Sequence, residues 1–182
     1  QRCFAQSQRL TALLHDISTL NRMDDAPQET EFGEVDITQM VATIKSETAL
    51  QLAEKDMAFN NLLPKDLAVK GNQSLLYSVF RNLVDNAIAY AGVGTTIIIS
   101  AQKEGPMWHF IFKDNGVGVP REHLPRLFER FYRVDKGRSR KMGGTGLGLA
   151  IVKNAVLLHG GRMSVDNQLS GGLIFDFTLP AC

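Results

Sequence analysis

The most regular apolar pattern in this chain of 182 residues runs through residues 74–91, SLLYSVFRNLVDNAIAYA. Its apolar side chains recur every three or four residues, a spacing that puts them on one face of an α-helix. They are Leu75, Leu76, Val79, Phe80, Leu83, Val84, Ala87 and Ile88. A helix with so continuous an apolar face needs a sheet or further helices to cover it, so we expect a fold layered around one core.

Strand-forming runs supply the second layer. TTIIISA and MWHFIFK are rich in β-branched and aromatic residues and flank the polar segment QKEGP, which predicts a hairpin. RMSVDN and LIFDFTL predict a second hairpin, and shorter strands are expected near residues 57–62 and 67–69. Asp36 and Gln39 form a capping-box pattern ahead of another helical face, and GLGLAIVKNAVLLHGG predicts a last helix. The predicted fold is an α/β two-layer sandwich, a mixed sheet covered on one face by about three helices.

The N-terminal segment predicts a separate helix. Over residues 1–23 the apolar side chains follow a single narrow stripe, close to a coiled-coil seam, which needs a partner helix. The stripe consists of Leu10, Leu13, Leu14, Ile17 and Leu20. It ends at DDAPQET, where Pro27 and its polar neighbours predict a hinge. We therefore expect two parts, residues 1–30 and residues 31–182.

Composition narrows the class of protein. Twenty basic and nineteen acidic side chains give a formal net charge of +1, which does not favour binding of nucleic acid by the chain as a whole. Cys3 and Cys182 stand near the two ends without metal-ligand spacing, which favours a reducing compartment. No apolar run approaches the roughly 20 residues of a membrane span. We expect a cytoplasmic domain, with any membrane anchor of the parent protein outside this sequence.

Two asparagines mark the polar side of the helix over residues 74–91. Asn82 and Asn86 are four residues apart, so both carboxamides project from one helix face, which Tyr90 continues. Such a pattern is common on a solvated helix face. It also suits Mg²⁺, because carboxamide oxygens are hard ligands and Mg²⁺ shares its coordination sphere with substrate phosphates.

The segment DNGVGVP, residues 114–120, has two interpretations. Asn-Gly is a common turn dipeptide, so the segment can be a tight turn. Alternatively, the Asp114 carboxylate accepts a hydrogen bond from the exocyclic amino group of adenine, while Gly116 and Gly118 let the backbone approach the base. The sequence at this point leaves both open.

A glycine-rich helix entrance, GGTGLGLA, follows at residues 143–150. It lacks the Lys-Ser/Thr of a Walker loop, but free N–H groups at a helix start bind phosphate and Thr145 adds a hydroxyl. Between residues 121 and 141, eight cations and three anions leave a local charge of +5. That stretch is typical of a solvated loop or of a lid over polyphosphate.

Four motifs in order, NLVDNAIAY, DNGVGVP, LFERFYRVD and GGTGLGLAIVK, resemble the N, G1, F and G2 boxes of the catalytic domain of bacterial sensor histidine kinases. The resemblance covers about residues 32 to 180, and the N-terminal helix is similar to the second helix of that family's dimerisation and phosphoacceptor hairpin. It implies the ATP-binding fold shared with gyrase, the 90-kDa heat-shock protein and the mismatch-repair ATPases.

The resemblance also implies roles for individual residues. Asn86 would coordinate Mg²⁺ with help from Asn82, Tyr90 would line the nucleotide, and Asp114 would hold the adenine amino group. Gly116 and Gly118 would allow close contact with the base.

The remaining implied roles belong to the lid and the phosphate side. Phe128 and Phe131 would anchor the lid, and Arg133 would reach the phosphates and take part in catalysis together with Asn82. The phosphate-side entrance would comprise Gly144, Thr145, Gly146, Leu147 and Gly148.

Two departures from the family pattern stand out. Many members carry Lys where this chain has Ala89, and the lid cation Lys141 is the expected substitute at the nucleotide. The usual phosphoacceptor pattern, His-Glu-Leu-Arg-Thr-Pro, does not occur. His15 lies in LLHDIS, which matches the second hairpin helix, so it is not the expected acceptor.

The implied function is that of a protein-histidine kinase. The domain would bind Mg²⁺ and ATP and transfer the γ-phosphate to a histidine on the dimerisation hairpin of a homodimer, for relay to an aspartate of a response regulator. The full-length protein would be anchored in the bacterial inner membrane.

Three alternatives stay open at this point: an ATP hydrolase or clamp of the gyrase type, a nucleotide-sensing module, and a serine-phosphorylating anti-sigma relative. Gyrase-type relatives carry a glutamate general base where this chain has Asn82, and a carboxamide cannot take a proton from water. Asn82 therefore favours transfer over hydrolysis.

Overall fold

A computed structural model describes residues 1–135 and 144–182. Its helices are α1 (Arg2–Asp25), α2 (Ile37–Glu47), α3 (Ala49–Glu54), α4 (Gln73–Tyr90) and α5 (Gly148–Leu158). Its strands are β1 (Gly33–Asp36), β2 (Ala58–Asn61), β3 (Ala68–Gly71), β4 (Thr96–Glu104), β5 (Met107–Asp114), β6 (Met163–Asn167) and β7 (Leu173–Pro180). Short 3₁₀ helices occupy Pro27–Glu29 and Arg121–Arg126.

The main sheet has the strand order β2-β4-β5-β7-β6. Strand β2 runs parallel to β4, and the other neighbours are antiparallel, so the sheet is mixed as predicted. Strands β1 and β3 form a separate antiparallel pair, which the sequence pattern did not predict for β1. The predicted two-layer sandwich is confirmed, because helices pack on the apolar face of this mixed sheet.

Helix α4 is the centre of the helical layer. All eight side chains predicted to be buried are at most 9% exposed. Phe80 packs edge-on against Phe110 of β5 at 5.6 Å and contacts Phe177 of β7 at 5.8 Å. Asn72 caps the helix, because its side-chain oxygen accepts a hydrogen bond from the Leu75 N–H at 2.9 Å. This packing fixes which face of α4 remains available to a ligand.

Two predicted elements differ in extent. The Gln39 N–H donates to Asp36 Oδ1 at 2.9 Å, as the capping pattern predicts, but the helix breaks at Thr48 into α2 and α3. Strand β4 continues to Glu104, so the polar residues expected in the hairpin loop belong to the strand and the turn is short. Gly105 supplies the left-handed backbone (φ +60°) that this turn requires.

Helix α1 packs on α5 along one face. Leu20 and Met23 are 2% and 7% exposed and Leu13 and Ile17 pack against the core, whereas Leu10 and Leu14 remain 57% and 59% exposed. The predicted apolar stripe is therefore divided between a docked face and an exposed face. The turn at Pro27–Glu29 lies at the predicted hinge, and the division of the chain near residue 30 remains a prediction.

Candidate functional site

A cavity of about 940 Å³ opens between α1, α4, the loop after β5, the segment before residue 135 and the start of α5. Its volume is in the range of small-molecule sites. The predicted site residues that line it are Asn82, Asn86, Tyr90, Gly118, Arg133, Gly144, Thr145, Gly146 and Gly148. Asp114, Gly116, Phe131 and Leu147 are not in this lining, and Lys141 lies outside the described residues.

The two asparagines of α4 have different surroundings. Asn82 donates from Nδ2 to the Ser78 carbonyl at 2.8 Å, and a Cβ on Gly148 would lie 2.8 Å from Asn82 Oδ1. Asn82 thus joins α4 closely to the start of α5. Among the residues that the structure describes, we find no hydrogen bond to the Asn86 carboxamide, which faces the same cavity. Asn86 is the carboxamide left to bind a ligand.

The DNGVGVP segment is both a turn and part of the cavity wall. Asp114 Oδ1 accepts from the Gly116 N–H at 2.9 Å, the hydrogen bond of an Asx turn. The Asp114 side chain is only 6% exposed, and burial raises the pKa of its carboxyl, while the N–H groups of Gly116 and Leu173 act against that rise. Gly118 and Leu173 line the cavity beside it. A buried carboxylate therefore lies directly behind the wall.

Glycine is required in this loop by close contacts. A Cβ on Gly116 would lie 2.2 Å from the Ala91 carbonyl oxygen, at the end of α4. Gly118 has a left-handed backbone (φ +65°), and its Cβ would meet Asn167 Oδ1 at 2.6 Å. Larger residues would push the loop away from α4 and from β6.

Two side chains that the sequence did not single out hold this loop. Asn167, the last residue of β6, accepts from the Val119 N–H at 3.0 Å and donates to the Val119 carbonyl at 2.6 Å. Gln168 donates to the Asp114 carbonyl at 2.6 Å. These partners are 48 and 54 residues away in sequence, so no local pattern could have found them.

The segment before residue 135 is fixed to the glycine-rich entrance. The Phe131 N–H donates to the Gly146 carbonyl at 2.8 Å, and Arg133 donates to the Gly144 carbonyl. This close approach puts Phe131 in a left-handed conformation (φ +64°) with its side chain 59% exposed. Phe128 instead packs on Phe175, with ring centroids 6.3 Å apart. Phe128 thus packs on the sheet, whereas Phe131 contacts the entrance through its backbone, and the predicted anchoring role of the Phe131 side chain stays a prediction.

The start of α5 presents Thr145 to the cavity. Its hydroxyl accepts from the Leu147 N–H at 3.2 Å and donates to Asp16 Oδ2 of α1 at 2.7 Å. Leu147 is 1% exposed and its side chain belongs to the core, so its place in the phosphate-side entrance stays a prediction for its backbone. Asp16 was not predicted as a site residue and, with Ala12, brings α1 into the cavity lining.

The described cavity lining carries more negative than positive side chains. Its three cations and four carboxylates are Lys55, Arg81, Arg133, Asp16, Glu54, Asp85 and Asp135. Arg81 is already paired with Asp85 at 3.1 Å and with Glu47 at 3.4 Å. Partial desolvation raises the pKa of Asp85 although its side chain is 47% exposed, and Arg81 opposes that rise. A polyphosphate alone would enter this lining at an electrostatic cost.

The cavity lining can hold a metal ion only if a bound ligand supplies some of the coordinating oxygens. Within residues 1–135 and 144–182, no cluster of three or more His, Cys, Asp or Glu side chains could hold a metal ion. Mg²⁺ commonly takes one or two protein oxygens and completes its sphere with phosphates and water. The Asn86 carboxamide is a suitable oxygen donor for that arrangement.

Comparison with known proteins identifies the class. The family model described as "Histidine kinase-, DNA gyrase B-, and HSP90-like ATPase" matches residues 71–182, so the chain belongs to this ATPase family. Within it, the chain is 34% identical over 180 residues to the sensor-like histidine kinase SenX3 of Mycolicibacterium smegmatis. That alignment covers 99% of this chain and 47% of the relative, so the chain spans about half the length of that relative.

Solved structures agree with this assignment. The mycobacterial sensor histidine kinase MprB superposes with a TM-score of 0.71 at 28% identity, covering 83% of this chain and 98% of that one. The Acinetobacter baumannii histidine kinase AdeS superposes with a TM-score of 0.81 at 24% identity, covering 97% of this chain and 80% of that one. The predicted family and fold are confirmed.

None of the helices in residues 1–135 and 144–182 combines the length and the hydropathy that crossing a membrane requires.

Proposed function

We propose that this chain is the catalytic part of a sensor histidine kinase. It binds Mg²⁺ and ATP in the cavity and transfers the γ-phosphate to a histidine on a dimerisation hairpin, for relay to an aspartate of a response regulator. The observation that carries the proposal is the meeting of three motifs, the Asn86 face of α4, the Asp114 loop and the glycine-rich start of α5, around one cavity. These motifs are far apart in sequence, and the fold brings all three to the lining of one cavity.

The adenine end of the nucleotide is assigned to the Asp114 loop. A carboxylate has two oxygens with about four acceptor sites, and the N–H groups of Gly116 and Leu173 use only part of that capacity at Asp114. A remaining acceptor site takes a hydrogen bond from the exocyclic amino group of adenine. A buried acceptor of this kind discriminates against guanine, whose carbonyl at the corresponding position cannot donate. Tyr90 and Gly118 line the space next to it.

The phosphate end is assigned to the start of α5 and to the cations around it. N–H groups at a helix start attract anions, and Thr145 and Arg133 add donors there. Mg²⁺ binds the Asn86 oxygen together with the phosphates and offsets the negative lining. The basic stretch over residues 121–141 supplies further positive charge in the sequence.

Transfer is favoured over hydrolysis by Asn82. A carboxamide at this position cannot act as a general base toward water, and its Nδ2 is already engaged with the Ser78 carbonyl. The phosphate therefore passes to an external nucleophile positioned in line with it. In this proposal, other parts of the protein supply the acceptor histidine and an anchor in the bacterial inner membrane. The protein acts as a homodimer.

Asp114→Asn tests the adenine assignment. The change should weaken ADP binding by on the order of 1.5 to 3 kcal/mol, because it removes a buried charged acceptor, with a smaller loss of folding stability. Asp66→Asn is the matched control, since it makes the same change at an exposed carboxylate outside the cavity. Calorimetric titration of both variants with ADP and GDP measures the effect. Unchanged ADP affinity in Asp114→Asn, with selectivity over GDP intact, would remove Asp114 from the site.

A further inference from the structure

Helix α1 reaches the phosphate side of the cavity through one carboxylate. Asp16 Oδ2 accepts a hydrogen bond from the Thr145 hydroxyl at 2.7 Å, and both residues line the cavity. Thr145 lies three residues before α5, within the glycine-rich entrance. A negative side chain from a different element therefore contacts the place where the start of α5 would attract an anion.

The contact belongs to a wider docking of α1. Leu20 and Met23, one and two turns further along the helix, are 2% and 7% exposed against the domain. Beyond them, Asp24 pairs with Arg130 at 2.6 Å, and neither of these two residues lines the cavity. The docked residues C-terminal to Asp16 therefore help to hold it in place. Its position does not depend on the hydrogen bond to Thr145 alone.

The Thr145 hydroxyl cannot serve two acceptors at once. It carries one hydrogen, so donation to Asp16 excludes donation to a phosphate oxygen. The Asp16 charge also repels a polyphosphate in the same cavity, and that repulsion grows with each added phosphate charge. Within the described residues no Lys or Arg forms an ion pair with Asp16; Arg133, which lines the same cavity, donates to the Gly144 carbonyl instead.

We propose that Asp16 is a specificity-determining residue that favours the nucleoside diphosphate over the triphosphate while α1 is docked. The inference rests on the proposed nucleotide function of the cavity. Thermodynamic reciprocity adds a consequence: if docked α1 weakens triphosphate binding, then the bound triphosphate weakens the docking of α1 by the same factor. The nucleotide's phosphate count is thereby coupled to the position of this helix.

Asp16→Asn separates charge from shape. The carboxamide keeps the size of the side chain and an oxygen that accepts from Thr145, but it removes the negative charge. In calorimetric titrations with Mg²⁺, we expect the affinity for the non-hydrolysable ATP analogue AMPPNP to rise about threefold to tenfold, and the affinity for ADP to rise clearly less. Asp25→Asn, at an exposed carboxylate of the same helix, should change either affinity by less than about twofold.

Hydrogen exchange provides a second readout, which is measured in the parent chain and then compared with Asp16→Asn. In the parent chain, amides of residues 13–24 should exchange faster with AMPPNP bound than with ADP bound, and this difference should shrink in Asp16→Asn. Equal changes of both affinities in Asp16→Asn, or equal exchange of residues 13–24 with either nucleotide, would overturn the inference while leaving the proposed function intact. Failure of the parent chain to bind either nucleotide would instead contradict the proposed function itself.

Discussion

At the scale of single residues, His159 and His109 have environments that shift their pKa values in opposite directions. His159 is 5% exposed, its Nδ1 donates to the Ala155 carbonyl at 2.6 Å, and its Nε2 accepts from the Asn72 N–H at 3.0 Å. His109, on β5, contacts two carboxylates, Glu104 at 3.2 Å and Asp176. The environment of His159 therefore favours the neutral imidazole, and that of His109 favours the charged form.

His159 should make the fold sensitive to acid. Burial lowers its pKa below the ordinary value, and protonation would also remove the acceptor of the Asn72 N–H. Its contribution to the free energy of unfolding is fully present above the unfolded-state pKa, about 6.5, and is lost as pH falls through the folded-state pKa. In urea denaturation, the stability difference between the parent and His159→Gln should shrink as pH is lowered from neutrality. A difference that stays constant with pH would contradict this assignment.

His109 should have the opposite pH dependence. Burial disfavours its charged form, but the hydrogen bonds with Asp176 and Glu104 outweigh that effect and raise its pKa. Its contribution is fully present below about pH 6.5 and is lost as pH rises through the folded-state pKa. The stability difference between the parent and His109→Asn should therefore shrink as pH is raised. The His159 and His109 variants thus serve as controls for each other.

At the scale of elements, the packing of helix α1 on the domain completes one wall of the cavity. Its docked face contacts α5, and Ala12 and Asp16 complete the wall beside the phosphate end. Its exposed face carries Leu10 and Leu14 at helical spacing, which fits a partner helix in the proposed hairpin. The same helix thus has one face for the catalytic domain and another for a partner.

Leu20→Ala should weaken the docking of α1. Removing a side chain that is 2% exposed leaves a cavity, and we expect a loss of about 2 to 4 kcal/mol in the free energy of unfolding of the docked helix. Leu10→Ala is the matched control, because Leu10 is 57% exposed and its truncation should cost less than about 0.5 kcal/mol. Denaturation followed by circular dichroism, with hydrogen exchange of residues 13–24, measures both. Equal losses would mean that α1 does not dock as described.

Elements whose pattern lies within a few neighbouring residues were predicted from the sequence. Elements and contacts that depend on residues distant in the chain were not. Helix α4 and the Asp36 cap are visible because spacing of three or four residues directly determines a helix face or a cap. Strand β1 was missed because four residues carry little periodicity, and its pairing with β3 becomes evident only in the fold. The motifs indicated Asn86, Asp114 and Thr145, but the contacts of Asn167 and Asp16 with the site depend on how distant segments meet.

At the scale of the whole molecule, none of the four histidines is suited to accept a phosphate within this chain. His159 is buried, and His109 is engaged by two carboxylates. His123 is hydrogen-bonded to Tyr132. His15 is exposed on α1, in a sequence unlike the family's acceptor pattern. The described residues therefore combine the proposed nucleotide cavity with no histidine acceptor of the expected kind.

This arrangement predicts that the 182-residue chain binds ATP, hydrolyses it slowly and does not label itself. Phosphoryl transfer depends on holding the nucleophile in line with the γ-phosphate, and positioning alone contributes several kcal/mol. Incubation with γ-labelled ATP, followed by measurement of acid-labile counts per chain, tests the prediction. His15→Gln is the informative variant, because stoichiometric labelling that disappears with it would show that α1 carries the acceptor.

The proposed function depends on binding of ATP together with Mg²⁺ through Asn86, and a single set of titrations measures that binding. ATP is titrated calorimetrically into the parent, Asn86→Ala and Gln39→Ala, each with and without Mg²⁺. Gln39 is an exposed carboxamide on α2 outside the cavity and serves as the control. We predict that Mg²⁺ tightens ATP binding by about tenfold or more in the parent and in Gln39→Ala, and has little effect in Asn86→Ala, whose helix is preserved by alanine. The same Mg²⁺ dependence in all three proteins would contradict the account.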